Sequence, residues 1–165
     1  MRHVGYGHMI KTAIFDFDGT LADTIPLCLE AFRRAVNDLD GRVLTDREIE
    51  RNFGPDDLGV IRKLFPGKPE WHEHGRELFI HYYQELHAEM APAPFPGTVE
   101  LLHSLRNSGI RLAMVTGKRR ESADISLKFF HLDGFFPVLE TGSPEGGVKT
   151  DRINRALKRL GASAR

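Results

Sequence analysis

The sequence predicts an α/β fold with a parallel sheet, interrupted early by an all-helical insertion. Three observations predict it. An apolar run from Ile10 to Phe15, with Lys11 and Thr12 inside it, ends in two acids two residues apart, Asp16 and Asp18, followed by Gly19-Thr20. From about 25 to 91 the apolar residues recur at helical spacing alone. After the stiff stretch Ala91-Pro92-Ala93-Pro94-Phe95-Pro96-Gly97, helix and strand patterns alternate. With 165 residues, 41% hydrophobic and 28% charged, the chain has enough core for one compact domain carrying an inserted piece.

The elements follow in order. Ile10 to Phe15 is a short strand heading into a core. Pro26 then sits where the first turn of a helix tolerates it, and Cys28, Ala31, Phe32, Ala35, Val36 and Leu39 form one apolar face up to Gly41. Cys28 falls in that stripe and is expected in the core rather than as a nucleophile. Thr45-Asp46-Arg47-Glu48 is a capping box that opens a short helix, and Gly54-Pro55 breaks it. A third helix covers Asp57 to Leu64, closed by Pro66-Gly67-Lys68-Pro69. A longer helix follows, with Leu78, Phe79, Tyr82, Tyr83, Leu86 and Met90 on its buried side. Beyond the linker, Thr98 is expected to cap a helix carrying Leu101, Leu102 and Leu105, which stops at Ser108-Gly109. Ile110 to Val115 is a strand ending at Thr116-Gly117, and Glu121 to Phe130 a helix. Pro137 to Glu140 is a strand, followed by a loop from Thr141 to Val148. A last helix carries Ile153, Ala156, Leu157 and Leu160, with Gly161 as its cap.

Charge excludes some partners. The 23 basic and 23 acidic residues cancel, so nothing draws the chain generally to nucleic acid or an anionic membrane. Arg119-Arg120 and the basic residues at 152, 155, 158, 159 and 165 are expected as solvated helix faces. One cysteine leaves no intramolecular disulfide and suits a reducing cytoplasm. No stretch is apolar enough to span a bilayer, and Met1 to Met9 lacks the apolar middle of a signal peptide. Met9 is a candidate start, with residues 1–8 as an upstream extension.

The chemistry concentrates at the first strand. Residues i and i+2 of an extended chain point the same way, so Asp16 and Asp18 can face one small volume. Two such carboxylates repel unless the site binds a cation or keeps one of them protonated. One can attack phosphorus while its neighbour moves a proton. Gly19 allows a sharp turn, and Thr20 offers a hydroxyl and a backbone N–H to an anion. Two rival motifs are weaker. Gly142 to Thr150 misses the phosphate-binding P-loop spacing because Val148 stands between Gly147 and Lys149. His72, His74, His81 and His87 lack metal-ligand spacing and are expected as exposed helix histidines.

The string Asp16-Phe17-Asp18-Gly19-Thr20-Leu21-Ala22-Asp23-Thr24 resembles the first motif of the haloacid dehalogenase superfamily, in its phosphatase-like branch. Phe95-Pro96-Gly97-Thr98 and Gly109 to Lys118 resemble that family's return from an inserted helical cap, as in phosphoglycolate phosphatase and its relatives. The resemblance implies a Rossmann-like core from residues 1–24 and 92–165 with an α-helical cap at 25–91. It implies a phosphatase acting on a small phosphomonoester of a phosphorylated metabolite through an aspartyl phosphate, with Mg²⁺. In that pattern Asp16 is the nucleophile and Asp18 the acid/base, and both hold the metal. Thr116 binds a phosphoryl oxygen and Lys149 neutralises the phosphate, with Lys118 second as a nearby cation. Gly19, Thr20 and Gly117 join Lys118 around the substrate, and Gly54 marks a cap loop that sets selectivity.

The family's fourth motif, an acidic pair after one further strand, has no counterpart before Arg165. The expectation is therefore a site short of one metal ligand, and an Asp16 strand left as an open edge. Two alternatives stay open beside the phosphatase: a sugar phosphomutase of the same superfamily, and a truncated non-catalytic fragment that self-associates through that edge. The chain is expected as a monomer or homodimer, without nucleic acid or membrane.

Overall fold

The computed structural model describes residues 10–162, so the candidate start at Met9, residues 1–8 and Arg165 lie outside the described residues. Three parallel strands, β1 (Thr12–Phe15), β2 (Arg111–Val115) and β3 (Val138–Glu140), pair in the order β1-β2-β3. Phe15 lies opposite Met114, and Val115 opposite Glu140. The three carboxyl ends therefore finish on one side of the sheet, where ligands of open parallel sheets bind.

β2 is the central strand, and its last four residues are buried. Alternation sends Leu112 and Met114 into one apolar cluster and Ala113 and Val115 into another. On the second face α7 (Lys149–Arg159) lays Ala156 against the sheet, with Leu160 just past its end. The first face meets α5 (Thr98–Asn107) and α6 (Arg120–Phe129) through Leu102 and Leu127. Helices on both sides of a parallel sheet make this a Rossmann-like α/β fold.

Between β1 and α5 the chain is helical: α1 (Ile25–Asp40), α2 (Asp46–Glu50), α3 (Asp57–Leu64), a 3-10 turn at Pro69–Trp71 and α4 (His72–Met90). Local chemistry sets the helix ends. Gly41, at φ 77°, closes α1 with its N–H on the Asn37 carbonyl. Thr45 and Glu48 cap α2 reciprocally. Asp56 caps α3 by accepting from Gly59 N–H at 2.9 Å. α1 buries Leu27, Leu29, Ala31, Phe32, Ala35 and Val36, and Phe32 stacks on Phe79 of α4 with ring centroids 4.1 Å apart. Each such large side chain contributes about 1.5–3 kcal/mol when fully buried. This helical block and the first face of the sheet share one continuous apolar cluster, from Phe79 through Phe17 to Met114. No helix among the described residues is long and apolar enough to cross a membrane.

Three expectations, on Thr98, His87 and Arg152, need correction. Thr98 is not the cap of α5; Gly97 is, in the left-handed conformation, and the Thr98 hydroxyl donates to the Leu21 carbonyl at 3.2 Å. The Leu101 side of that helix is exposed, because only Leu102 faces the sheet squarely. His87 is buried, not exposed: it lies one turn beyond Tyr83 on the face that meets α6, and Nε2 is 2.9 Å from Ser126 Oγ. Arg152 is also buried, since it stands one turn before Ala156 on the face α7 presents to the sheet. Arg155 and Arg159 pair with Glu140 at 2.9 and 3.0 Å.

Candidate active site

The acid pair stands where β1 runs out. Phe17 turns fully into the core, so its neighbours Asp16 and Asp18 turn the other way and stay half-buried. A tight turn follows, with Gly19 at φ 70° and the Thr20 and Leu21 N–H groups both on the Phe17 carbonyl. That positive φ is the conformation glycine adopts without strain. Gly19 and Thr20 themselves are exposed on this turn.

Each acid meets its own lysine. Asp16 accepts from the Phe17 N–H through Oδ1 at 2.8 Å and pairs through Oδ2 with Lys149 Nζ. Lys149 is the first residue of α7, where a cation opposes the helix dipole. The carboxylate of Asp16 offsets that conflict. Asp18 Oδ1 accepts from Thr24 Oγ1 at 2.5 Å and lies 3.1 Å from Lys118 Nζ. Thr24 begins α1 but makes no side-chain cap bond there, because its hydroxyl is taken by Asp18.

Lys118 is the centre of a buried cluster. Its ammonium lies over the Tyr83 ring, 4.4 Å from the centroid, and 3.4 Å from Cys28 Sγ. Burial would lower its pKa, but the Asp18 carboxylate more than offsets this and holds it well above the ordinary lysine value. Burial pushes the Cys28 thiol up to about 12 and raises Tyr83 as well, so both stay neutral and Asp18 is the anion Lys118 answers. Cys28 is thus an inert thiol, though it borders a cavity rather than sitting wholly inside the core.

Loops after β2 and β3 complete the floor. Thr116 is fully buried; its N–H reaches the Glu140 carbonyl at 3.0 Å and its Oγ1 accepts from Lys118 N–H at 3.2 Å. Gly142 N–H donates to the Lys118 carbonyl at 2.7 Å. A Cβ on Gly142 would sit 2.0 Å from the Gly117 carbonyl oxygen, so only glycine lets these two loops touch.

Above Asp18 opens a cavity of about 220 Å³, floored by Gly117 and Lys118. Its walls come from α1, with Ile25, Cys28 and Phe32, and from the loop and start of α3, Phe53 to Asp57. Gly54 and Pro55 therefore stand against the same space as Asp18. Asp16, Thr116 and Lys149 lie outside this lining. Sequence reasoning missed Tyr83 and Ser122, which join the site only through contacts across the fold, and the role of Thr24, whose hydroxyl reaches Asp18 six residues away. Ser122 Oγ donates to Asp57 at 2.6 Å, and Arg119 pairs with Asp56 at 3.1 Å. Burial pushes Asp57 up to about 6, with Lys118 pulling the other way.

Asp16 offers a hard carboxylate oxygen and Asp18 a backbone carbonyl oxygen at one strand end. That donor set fits Mg²⁺, which takes one or two carboxylates and fills its octahedron with water and phosphate oxygens. Among the described residues no group of three or more acids, histidines or cysteines gathers as a metal cluster.

This sheet, with acids at the end of its first strand, is that of a haloacid dehalogenase-like hydrolase: residues 13–165 match that family, and the chain belongs to it. It is 30% identical over 157 residues to the pyrophosphatase PpaX of Halalkalibacterium halodurans, covering 93% of this chain and 70% of that protein. It is also 30% identical over 158 residues to the tyrosine-protein kinase PtkA of Mycobacterium tuberculosis, covering 93% of this chain but 53% of PtkA. Among solved structures it resembles CbbY from Rhodobacter sphaeroides in complex with phosphate, at a TM-score of 0.78 and 23% identity, over 93% of this chain and 74% of that one. The names of these relatives differ, so together they establish the family and the fold, not the substrate.

Proposed function

We propose that the chain hydrolyses a small phosphomonoester through an aspartyl phosphate on Asp16, with Mg²⁺ bound at Asp16 and Asp18. The observation that carries this is the two acids at one strand end, each beside a lysine, with a half-open cavity that Asp18 lines and Asp16 does not. An oxygen of Asp16 attacks phosphorus, and the bond from phosphorus to the leaving oxygen breaks. In the reacting state a protonated Asp18 gives that oxygen its proton and becomes the anion that Lys118 answers; that anion then takes a proton from the water that attacks the acyl phosphate, and phosphate leaves with Asp16 and protonated Asp18 both restored. Lys149 and Thr116 bind phosphoryl oxygens, and the turn at Gly19-Thr20 and the backbone at Gly117 close around them. Lys118 keeps Asp18 fixed from beneath. The metal, when bound, neutralises charge on the phosphate and the paired acids.

Residues 25–91 act in this reading as a cap over a core formed by 1–24 and 92–165, with Gly54 at the loop that meets the leaving group. A charge-balanced surface and a single cysteine support a cytoplasmic metabolic enzyme. The test is a rapid acid quench during turnover of an aryl phosphate with Mg²⁺. A phosphoryl adduct is expected on the peptide containing Asp16, and none in Asp16→Asn. Turnover retained by Asp16→Asn overturns the mechanism.

A further inference from the structure

The cavity above Asp18 is unevenly charged. Its charged side chains are three carboxylates, Asp18, Asp56 and Asp57, and one ammonium, Lys118. Two of the carboxylates are matched. Asp18 has Lys118 and Thr24. Asp56, fully buried, has Arg119 at 3.1 Å and the Gly59 N–H at 2.9 Å. Asp57 is hydrogen-bonded by a neutral group only, with the Lys118 charge acting on it through space: Oδ2 accepts from Ser122 Oγ at 2.6 Å, and Oδ1 has no donor among the described residues. The remaining wall is largely apolar, from Ile25, Phe32, Phe53 and Val60. At about 30 Å³ per water, 220 Å³ corresponds to roughly seven waters, the room of a leaving group of a few carbons.

We propose that Asp57 selects the leaving group by charge, admitting the phosphomonoester of a small amino alcohol or polyol and rejecting one whose leaving group carries a carboxylate. This rests on the reading above, in which Asp18 faces the leaving oxygen. An ammonium or hydroxyl entering the cavity finds an unmatched acceptor in Asp57 Oδ1. A carboxylate finds a like charge, in a space whose only lining cation among the described residues already faces Asp18. Asp57, with its pKa near 6, is ionised at pH 7.5. The selection therefore operates under ordinary assay conditions.

Binding separates the outcomes. Phosphoethanolamine, glycerol 3-phosphate and 2-phosphoglycolate are titrated calorimetrically into the Asp16→Asn chain with Mg²⁺ at pH 7.5, where no turnover intervenes. The first two are expected to bind at least tenfold tighter than the third. Adding Asp57→Asn should tighten 2-phosphoglycolate and weaken phosphoethanolamine, closing that gap. If the double variant does not fold, the same titrations at pH 5 replace it. There Asp57 is protonated while facing Lys118, Asp18 and Asp56, and the ratio between ligands should shrink likewise. Tighter binding of 2-phosphoglycolate at pH 7.5, equal affinities, no binding of any of the three, or a ratio unmoved when Asp57 loses its charge overturns the proposal. Hydrolysis of an aryl phosphate by the unsubstituted chain is followed in parallel. Its absence counts against the phosphatase reading, and the binding order still decides the role of Asp57.

Discussion

Replacing Lys118 by Met removes one charge and almost no volume, which makes it a clean test of the buried cluster. The ammonium sits 3.1 Å from Asp18 Oδ1 with its own side chain 3% exposed and that of Asp18 26% exposed. At an effective dielectric of 20 the pair attracts by about 5 kcal/mol. The partial exposure of Asp18 discounts that, and the variant also escapes the burial cost of Lys118. Removing one partner of a buried pair typically costs 3–5 kcal/mol, so a net loss of about 3 kcal/mol is expected at pH 8. For a chain of this length that is roughly 6–12 °C in melting temperature. The loss should depend on pH. Lys118 also draws Asp57 down, so without it Asp57 titrates above its present value of about 6. The variant should therefore recover part of the deficit as pH falls from 8 to 5. The assay is urea unfolding by circular dichroism at both pH values. Equal stability of Lys118→Met and the parent at pH 8 would refute the reasoning.

Thr24→Val removes the 2.5 Å hydrogen bond to Asp18 and keeps the shape. A bond to a charged group is worth about 1.5–3 kcal/mol, so kcat on an aryl phosphate should drop by roughly 10- to 100-fold with little change in KM. Gly142→Ala places a Cβ 2.0 Å from the Gly117 oxygen and should cost about 2 kcal/mol in thermal unfolding together with most activity; an unchanged melting temperature would contradict the loop contact. Asp57→Asn should stabilise the fold at pH 8 and not at pH 4. A carboxyl raised from 3.8 to about 6 contributes stability that is complete below 3.8 and lost as pH rises through 6, about 3 kcal/mol at 1.36 kcal/mol per pH unit. Unfolding curves across that range should show the gain appear between pH 4 and 7.

Much of this could be read from local chemistry. The Asp57–Leu64 helix, the capping box at Thr45 and the end of α1 at Gly41 rest on residues within one turn of each other, and sequence carries such signals directly. Thr98 misled because a hydroxyl before an apolar helix looks like a cap, while Gly97 takes that place and Thr98 ties α5 to Leu21, 77 residues earlier in the chain. His87 looked like a surface histidine because its partner, Ser126, lies 39 residues away on another helix. The same distance problem hid the surroundings of Lys118. Its aromatic lid comes from α4, its sulfur neighbour from α1, and its anion from the turn after β1. A lysine following Thr116-Gly117 gives no hint in sequence that it will be enclosed on every side.

Thr24 joins two tasks that many enzymes keep on separate parts. Its hydroxyl grips Asp18, while its carbonyl receives the Cys28 N–H that winds the first turn of α1. α1 also supplies Ile25, Cys28 and Phe32 to the wall of the cavity. Any tilt of that helix therefore tugs on the acid by way of a single residue. In the proposed mechanism, admission of substrate and readiness to deliver a proton are geared to one lever, and the fulcrum lies six residues from the group it sets.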